Sequence, residues 1–136
     1  MTAAGCEKTV MVVEDDTDIR DAIAEVLMDG DYRTLCAANG AAALVELRAA
    51  QPRPCVILLD MMMPVMDGRE FREEQIRDAA LRNIPVIVLS AHAEADTAAS
   101  QMKAAGFLAK PVDLHRLLDT VEQFCAADPL QPSETA

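Results

Sequence analysis

Four short apolar runs each end on a residue type that can do chemistry. Val10–Val13 leads into Glu14-Asp15-Asp16, Cys55–Leu59 into Asp60, Pro85–Leu89 into Ser90, and Phe107–Ala109 into Lys110. Carboxylates gathered in one place repel one another and require a cation. Hard oxygen donors at low count, with water completing the shell, suit Mg2+ or Mn2+. A carboxylate such as Asp60 can act as a nucleophile and accept a phosphoryl group. A lysine ammonium and a serine hydroxyl are groups that steady charge on phosphoryl oxygens. Each acid taken alone reads as a helix cap or a solvated loop. Taken together, acids, hydroxyl and ammonium describe a pocket for metal-assisted phosphoryl transfer.

These residues meet only if the runs are strands of one parallel sheet. Val56-Ile57-Leu58-Leu59 and Val86-Ile87-Val88-Leu89 are apolar without alternation, as strands covered on both faces are. A further run, Leu35–Ala38, brings the set to five. Between the runs the period becomes helical. In 18–29, Ile19, Ile23, Val26 and Leu27 share one face, opposite an acidic stripe of Asp18, Asp21, Glu25 and Asp29. Residues 40–50 are strong helix formers closed by Gln51-Pro52. The spacing predicts a charged helix over 69–80 anchored by Phe71 and Ile76. It also predicts an Ala-rich helix over 94–105, anchored by Met102 and stopping at Gly106. A last helix, capped by Asp113, should bury Leu114, Leu117, Leu118 and Val121. Asp16 reads as the cap of the first helix. Five β-then-α units make an α/β protein with a doubly wound parallel sheet. Its functional site then lies beyond the carboxyl ends of the strands.

Composition narrows the classes. A chain of 136 residues with 51% hydrophobic and 26% charged residues is one ordinary globular domain. No apolar run approaches the roughly 18–20 residues of a membrane span, and the N-terminus lacks the basic-then-apolar pattern of a signal peptide. A net charge of −11 repels phosphate backbones and argues against nucleic acid. Residues 14–31 concentrate it, with eight acids and one base. The cysteines at 6, 36, 55 and 125 form no C-x-x-C or His/Cys cluster, so zinc and dithiol redox chemistry find no support in spacing. Cys36 and Cys55 read as buried small hydrophobes in a reducing cytoplasm. Met61, Met62 and Met63 read as loosely packed thioethers, and His115 as exposed.

The ordered motifs resemble the receiver domain of two-component response regulators. They are Val12-Val13-Glu14-Asp15-Asp16, Asp60-Met61-Met62-Met63-Pro64 with Met66-Asp67-Gly68, Leu89-Ser90-Ala91, and Lys110-Pro111, and their order spans residues 9–126. The resemblance implies a flavodoxin-like (βα)5 fold, five parallel strands in the order 2-1-3-4-5. The receiver would occupy 9–127, with a short extension at 1–8 and a flexible tail at 128–136. By residue, Asp60 matches the phosphoacceptor. Glu14 and Asp15 match the acidic pair that holds Mg2+, Asp15 directly and Glu14 through water, with the backbone carbonyl of Met62 as a further ligand. Ser90 and Lys110 match the groups that read the phosphoryl group, and Pro111 a proline usually preceded by a cis bond. Phe107 falls at the aromatic switch position without a phenolic hydroxyl, and His92 at a position that modulates water access. The family further implies a sensor histidine kinase or a histidine phosphotransfer protein as donor, and a downstream protein as target. It implies a cytoplasmic monomer or weak dimer whose switching face is the fourth helix, fifth strand and fifth helix. With no output domain in view, the chain reads as a stand-alone receiver that catalyses only its own phosphoryl uptake and loss.

Two other classes use similar parts. A haloacid-dehalogenase-type phosphatase needs a second acid two residues after its nucleophile, and that position is Met62. A flavodoxin-like electron carrier needs a hydroxyl- and Gly-rich loop after the first strand, where this chain places three acids that would repel a flavin phosphate. A receiver that is never phosphorylated would have no use for so complete an acidic pair, hydroxyl and lysine.

Overall fold

The computed structural model describes residues 8–91 and 95–125. Cys6 and His92 lie outside the described residues. The chain alternates β1 (Lys8–Val13), α1 (Thr17–Asp29), β2 (Tyr32–Ala37), α2 (Gly40–Ala49), β3 (Val56–Asp60), α3 (Gly68–Arg77), β4 (Val86–Ala91), α4 (Ala95–Met102), β5 (Gly106–Lys110) and α5 (Leu114–Cys125). The strands pair in parallel in the order β2-β1-β3-β4-β5, so the doubly wound flavodoxin-like fold is the observed one. Among the described residues, no helix is long and apolar enough to cross a membrane.

The unalternating runs sit where their composition places them. Every residue of β3 is buried, because helices cover both faces of the sheet. Met11, Val13, Ile57, Leu59, Val86 and Val88 join side chains of α2, α3 and α4 on one face. Val10, Val12, Val56, Leu58, Ile87 and Leu89 join those of α1 and α5 on the other. Alternate side chains of a strand point to opposite faces, so one continuous apolar run supplies both layers.

Helix starts follow the cap chemistry. Asp16 Oδ1 accepts from Ile19 N at 3.1 Å and opens α1. Asp113 Oδ1 accepts from His115 N and Arg116 N at 3.0 and 3.2 Å and opens α5. Asp67 and Glu70 exchange hydrogen bonds in a capping box that opens α3. Leu117 and Val121 are fully buried on α5, while Leu114 and Leu118 are half-buried.

Three expectations need correction. First, α3 ends at Arg77, and Ile76 is 41% exposed, not an anchor. The buried partner of Phe71 is Gln75, whose Nε2 donates to the carbonyls of Leu81 and Ile84 at 2.9 and 3.0 Å while its Oε1 accepts from Arg72. A buried amide satisfies the turn after the helix, which an apolar side chain could not do. Second, α4 stops at Met102, because Lys103 adopts a left-handed conformation at φ 55°. The Arg72 guanidinium closes that end on the carbonyls of Met102 and Lys103 at 2.9 and 2.8 Å.

Third, the cysteines are not as expected. Cys36 is exposed on β2, the edge strand. Cys55 is half-buried and forms a disulfide with Cys125, with 5.3 Å between their Cα atoms. A separation of 70 residues hides this pairing from any spacing motif. The fold closes the gap by bringing the end of α5 back to the start of β3.

Tyr32, the only tyrosine, reports on this packing. Burial raises its pKa above the ordinary 10.0, and the nearby Glu122 carboxylate adds to the rise. The neutral phenol is therefore the form that the fold favours. Ultraviolet titration of the native chain should show ionisation later than in the urea-unfolded chain. Stability should accordingly fall as pH climbs past 10.0. Coincident titrations would contradict the packing.

Candidate functional site

The carboxyl ends of β1, β3, β4 and β5 deliver Glu14, Asp60, Ser90 and Lys110 to one open cleft, with Asp15 and Met62 along its wall. The cleft measures about 660 Å3. Glu14, Asp60 and Ser90 are 1%, 3% and 5% exposed, whereas Asp15 is exposed. Register accounts for this convergence. Asp60 pairs with Leu89, one residue before Ser90, and Ser90 pairs with Ala109, one residue before Lys110.

Backbone bonds fix Glu14 beyond the end of β1. Its N–H donates to Ala37 O at 3.0 Å, extending the ladder to β2 by one step. Its carbonyl accepts from Arg20 Nη1 at 2.9 Å. Its Oε2 accepts from Asp16 N at 3.2 Å, so Asp16 serves as a backbone donor here while its side chain caps α1. Lys110 Nζ reaches across the sheet to Asp60 Oδ1 at 2.9 Å and Glu14 Oε1 at 3.1 Å. The Lys110–Pro111 peptide that follows is cis.

The second of these contacts is an ion pair by distance but not an aligned hydrogen bond. Glu14 Oε1 is thus a buried carboxylate oxygen without a hydrogen-bond donor. Burial raises the Glu14 pKa above 4.5 and the Asp60 charge adds to it, against the pull of Lys110 and of the Asp16 N–H. For Lys110, burial alone would lower the pKa. The Asp60 and Glu14 carboxylates outweigh it and hold the ammonium above 10.5. The two carboxylates thus favour the charged form of Lys110, while burial opposes the charge on Glu14.

Those features fit a divalent cation. Glu14, Asp15 and Asp60 each bring one carboxylate oxygen within 4.8 Å of the others. Three carboxylates against one ammonium leave two negative charges, and the donors are all oxygen, the chemistry of a hard cation. Lys110 alone pairs with both Glu14 Oε1 and Asp60 Oδ1, so the cluster stays short of positive charge.

Other residues named from sequence are placed without contacts that define a role. The Met62 side chain is 79% exposed, and Phe107 on β5 is 45% exposed. His115 is exposed on α5, and Met61 is packed beneath the cleft. Two contributors act through the backbone, and of these only Gly68 stands in one of the sequence motifs, Met66-Asp67-Gly68. Arg20 steers the Glu14 peptide from six residues away, across the turn into α1. Gly68 lets the first turn of α3 lie directly on the end of β3, its N–H donating to Met61 O at 3.0 Å. A Cβ at position 68 would stand 2.5 Å from Asp60 O, a backbone atom. Gly68→Ala should therefore cost about 1–3 kcal/mol by overpacking and loosen the cation site. Urea melts and Mn2+ binding check both. Unchanged values in the two measurements would show that this approach is not tight.

Residues 10–122 match the family model of the response regulator receiver domain. The chain is 34% identical over 118 residues to the sporulation initiation phosphotransferase F of Bacillus subtilis, covering 85% of this chain and 91% of that protein. Its fold superposes on the chemotaxis response regulator CheY4 of Vibrio cholerae with a TM-score of 0.78 at 30% identity, covering 87% and 98% of the two chains. It also superposes on the receiver domain of the sensor histidine kinase PA1611 from Pseudomonas aeruginosa PAO1. That structure holds a magnesium ion coordinated in its active site cleft. The TM-score is 0.80 at 26% identity, with 89% and 99% coverage.

Proposed function

This chain belongs to the response regulator receiver family of two-component signalling, and from that premise we propose that Asp60 is its phosphoacceptor. Membership sets aside the phosphatase and flavin-carrier readings. Receiver domains are signalling proteins phosphorylated by histidine kinases, and the finer steps here follow from the chain's own groups.

The observation that carries the reading is the position of Asp60. It is a buried carboxylate at the end of the central strand, held by Lys110 at 2.9 Å inside an acidic cluster. With Oδ1 engaged by Lys110, Oδ2 attacks phosphorus of a partner's phosphohistidine. The P–N bond breaks, its electron pair returns to the imidazole, and an aspartyl phosphate forms. A divalent cation, Mg2+ in our reading with Mn2+ as substitute, would be held by Glu14, Asp15, Asp60 and the Met62 carbonyl, and would offset charge on the phosphoryl oxygens. Lys110 then pairs with a phosphoryl oxygen, and the Ser90 hydroxyl donates to another. Water attack on phosphorus later restores the carboxylate and releases phosphate.

Movement of Ser90 toward the phosphoryl group makes room for the Phe107 ring to turn inward. The face of α4, β5 and α5 shifts population in response. α4 is short and buries only Ala99 and Met102 among its described side chains, so it resists such a shift weakly. The output is a protein–protein contact in a cytoplasmic setting.

Incubation with Mg2+ and a small phosphoryl donor, followed by intact mass measurement, tests this reading. One phosphoryl adduct should form and should fail to form when the cation is chelated. An adduct indifferent to chelation would detach Glu14 and Asp15 from the mechanism.

A further inference from the structure

The pole of the sheet opposite the acidic cleft carries its own chemistry. Cys55 immediately precedes β3, and Cys125 is on the last turn of α5. Their Cα atoms are 5.3 Å apart and their sulfurs are bonded, a spacing that suits a disulfide without moving backbone. Asp60 lies five positions after Cys55 along extended strand, about 17 Å.

The fold does not depend on this bond. Both faces of the sheet are closed by fully buried side chains such as Phe71, Leu47, Leu27 and Leu117, and a domain of this size needs no staple. Cys55 Sγ lies 3.3 Å from Thr9 O, so on reduction a Cys55 thiol would have a backbone acceptor beside it. Cys55 is half-buried while Cys125 is 1% exposed, so an external thiol or disulfide reaches the pair through Cys55. Cys36 stays a free, exposed thiol, unlike the fully paired cysteines of an extracellular scaffold.

We propose that Cys55 and Cys125 are a reversible thiol–disulfide pair that locks the end of α5 to the start of β3, with a small-molecule disulfide such as oxidised glutathione as oxidant. The Cys55 thiolate attacks the small disulfide, forms a mixed disulfide and releases one thiolate. The Cys125 thiolate then attacks the Cys55 sulfur and releases the second. Two protein thiols are oxidised, one small disulfide is reduced to two thiols, and the two protons pass to the released thiolates. Two small thiols reverse the sequence. Oxidation adds a tether at the far end of α5, a helix of the face assigned to output, and leaves the phosphoacceptor pole untouched.

The test uses the full chain carrying Cys6→Ser and Cys36→Ser, equilibrated in glutathione buffers of graded ratio without denaturant. Alkylation after acid quench and intact mass should show both remaining thiols disappearing together in one two-electron step. The oxidised form should melt about 10 °C above the reduced form. Adding Cys125→Ala should abolish that difference. Glutathione adducts on each sulfur instead of an internal bond would overturn the proposal. So would reduction that occurs only in denaturant, or coincident melting of the two forms.

Discussion

Asp60→Asn should leave a folded protein that takes up no phosphoryl group. The amide lacks the anionic oxygen that attacks phosphorus, and the cleft's exposed acid, Asp15, lies beyond the end of β1 and not on the central strand. Glu14 is 1% exposed with one oxygen already accepting from Asp16 N. Lys110 holds the site's positive charge and is kept protonated by its two carboxylate neighbours. Adduct formation from a small donor should fall below about one hundredth of the unmodified rate, at least 2.7 kcal/mol of barrier. Far-ultraviolet circular dichroism should be unchanged, since β3 is held by ladder bonds on both sides. Stopped time courses read by intact mass would check the rate. A variant still labelled at a comparable rate would move the acceptor elsewhere.

Phe71→Ala should have the largest effect on stability, about 3–5 kcal/mol for an aromatic side chain removed from a closed core. Phe71 is fully buried in the layer that α2, α3 and α4 build on the sheet, with Leu59, Met61 and Leu81 in the same cluster. It lies one turn into α3, the helix whose first residue abuts the end of β3 through Gly68. The loss should lower the urea midpoint by about 2 M, taking roughly 2 kcal/mol per molar as the slope. Ile76→Ala, on the exposed side of the same helix, should cost within about 0.5 kcal/mol of nothing. Equal losses in the two variants would show that the helix packs on the other face.

The inner strands were readable because burial on both faces leaves an unbroken apolar run, as in Val56–Leu59 and Val86–Leu89. The edge strand was only half readable. Tyr32, Arg33 and Thr34 are mixed in character because an edge is covered less, so the strand begins three residues before the apolar run does. Periodicity also misjudged α3, since it scores Ile76 as apolar and cannot register that Gln75 meets the needs of a buried turn.

The convergence of Asp60, Ser90 and Lys110 was legible for a topological reason. Parallel strands put every carboxyl end on one side, so residues following separate runs must meet. Arg20 and Gly68 act on the backbone, through a carbonyl and through the absence of a Cβ; Gly68 was visible only within the Met66-Asp67-Gly68 motif, and Arg20 leaves no pattern in residue types. The Cys55–Cys125 bond was illegible for a similar reason, because three-dimensional return and not sequence spacing makes those neighbours. The acidity of residues 14–31 divides accordingly. Glu14 and Asp15 belong to the cleft, while Asp18, Asp21, Glu25 and Asp29 form an exposed stripe on α1.

The chemical position of the phosphoryl group is the most direct test of the account. An aspartyl phosphate is an acyl phosphate, and borohydride reduces it to homoserine at the modified position. After phosphorylation, reduction and proteolysis, peptide mass mapping should find homoserine at position 60 and at no other position. Homoserine at another acid, or a phosphoryl group that survives borohydride on a serine or histidine, would contradict it.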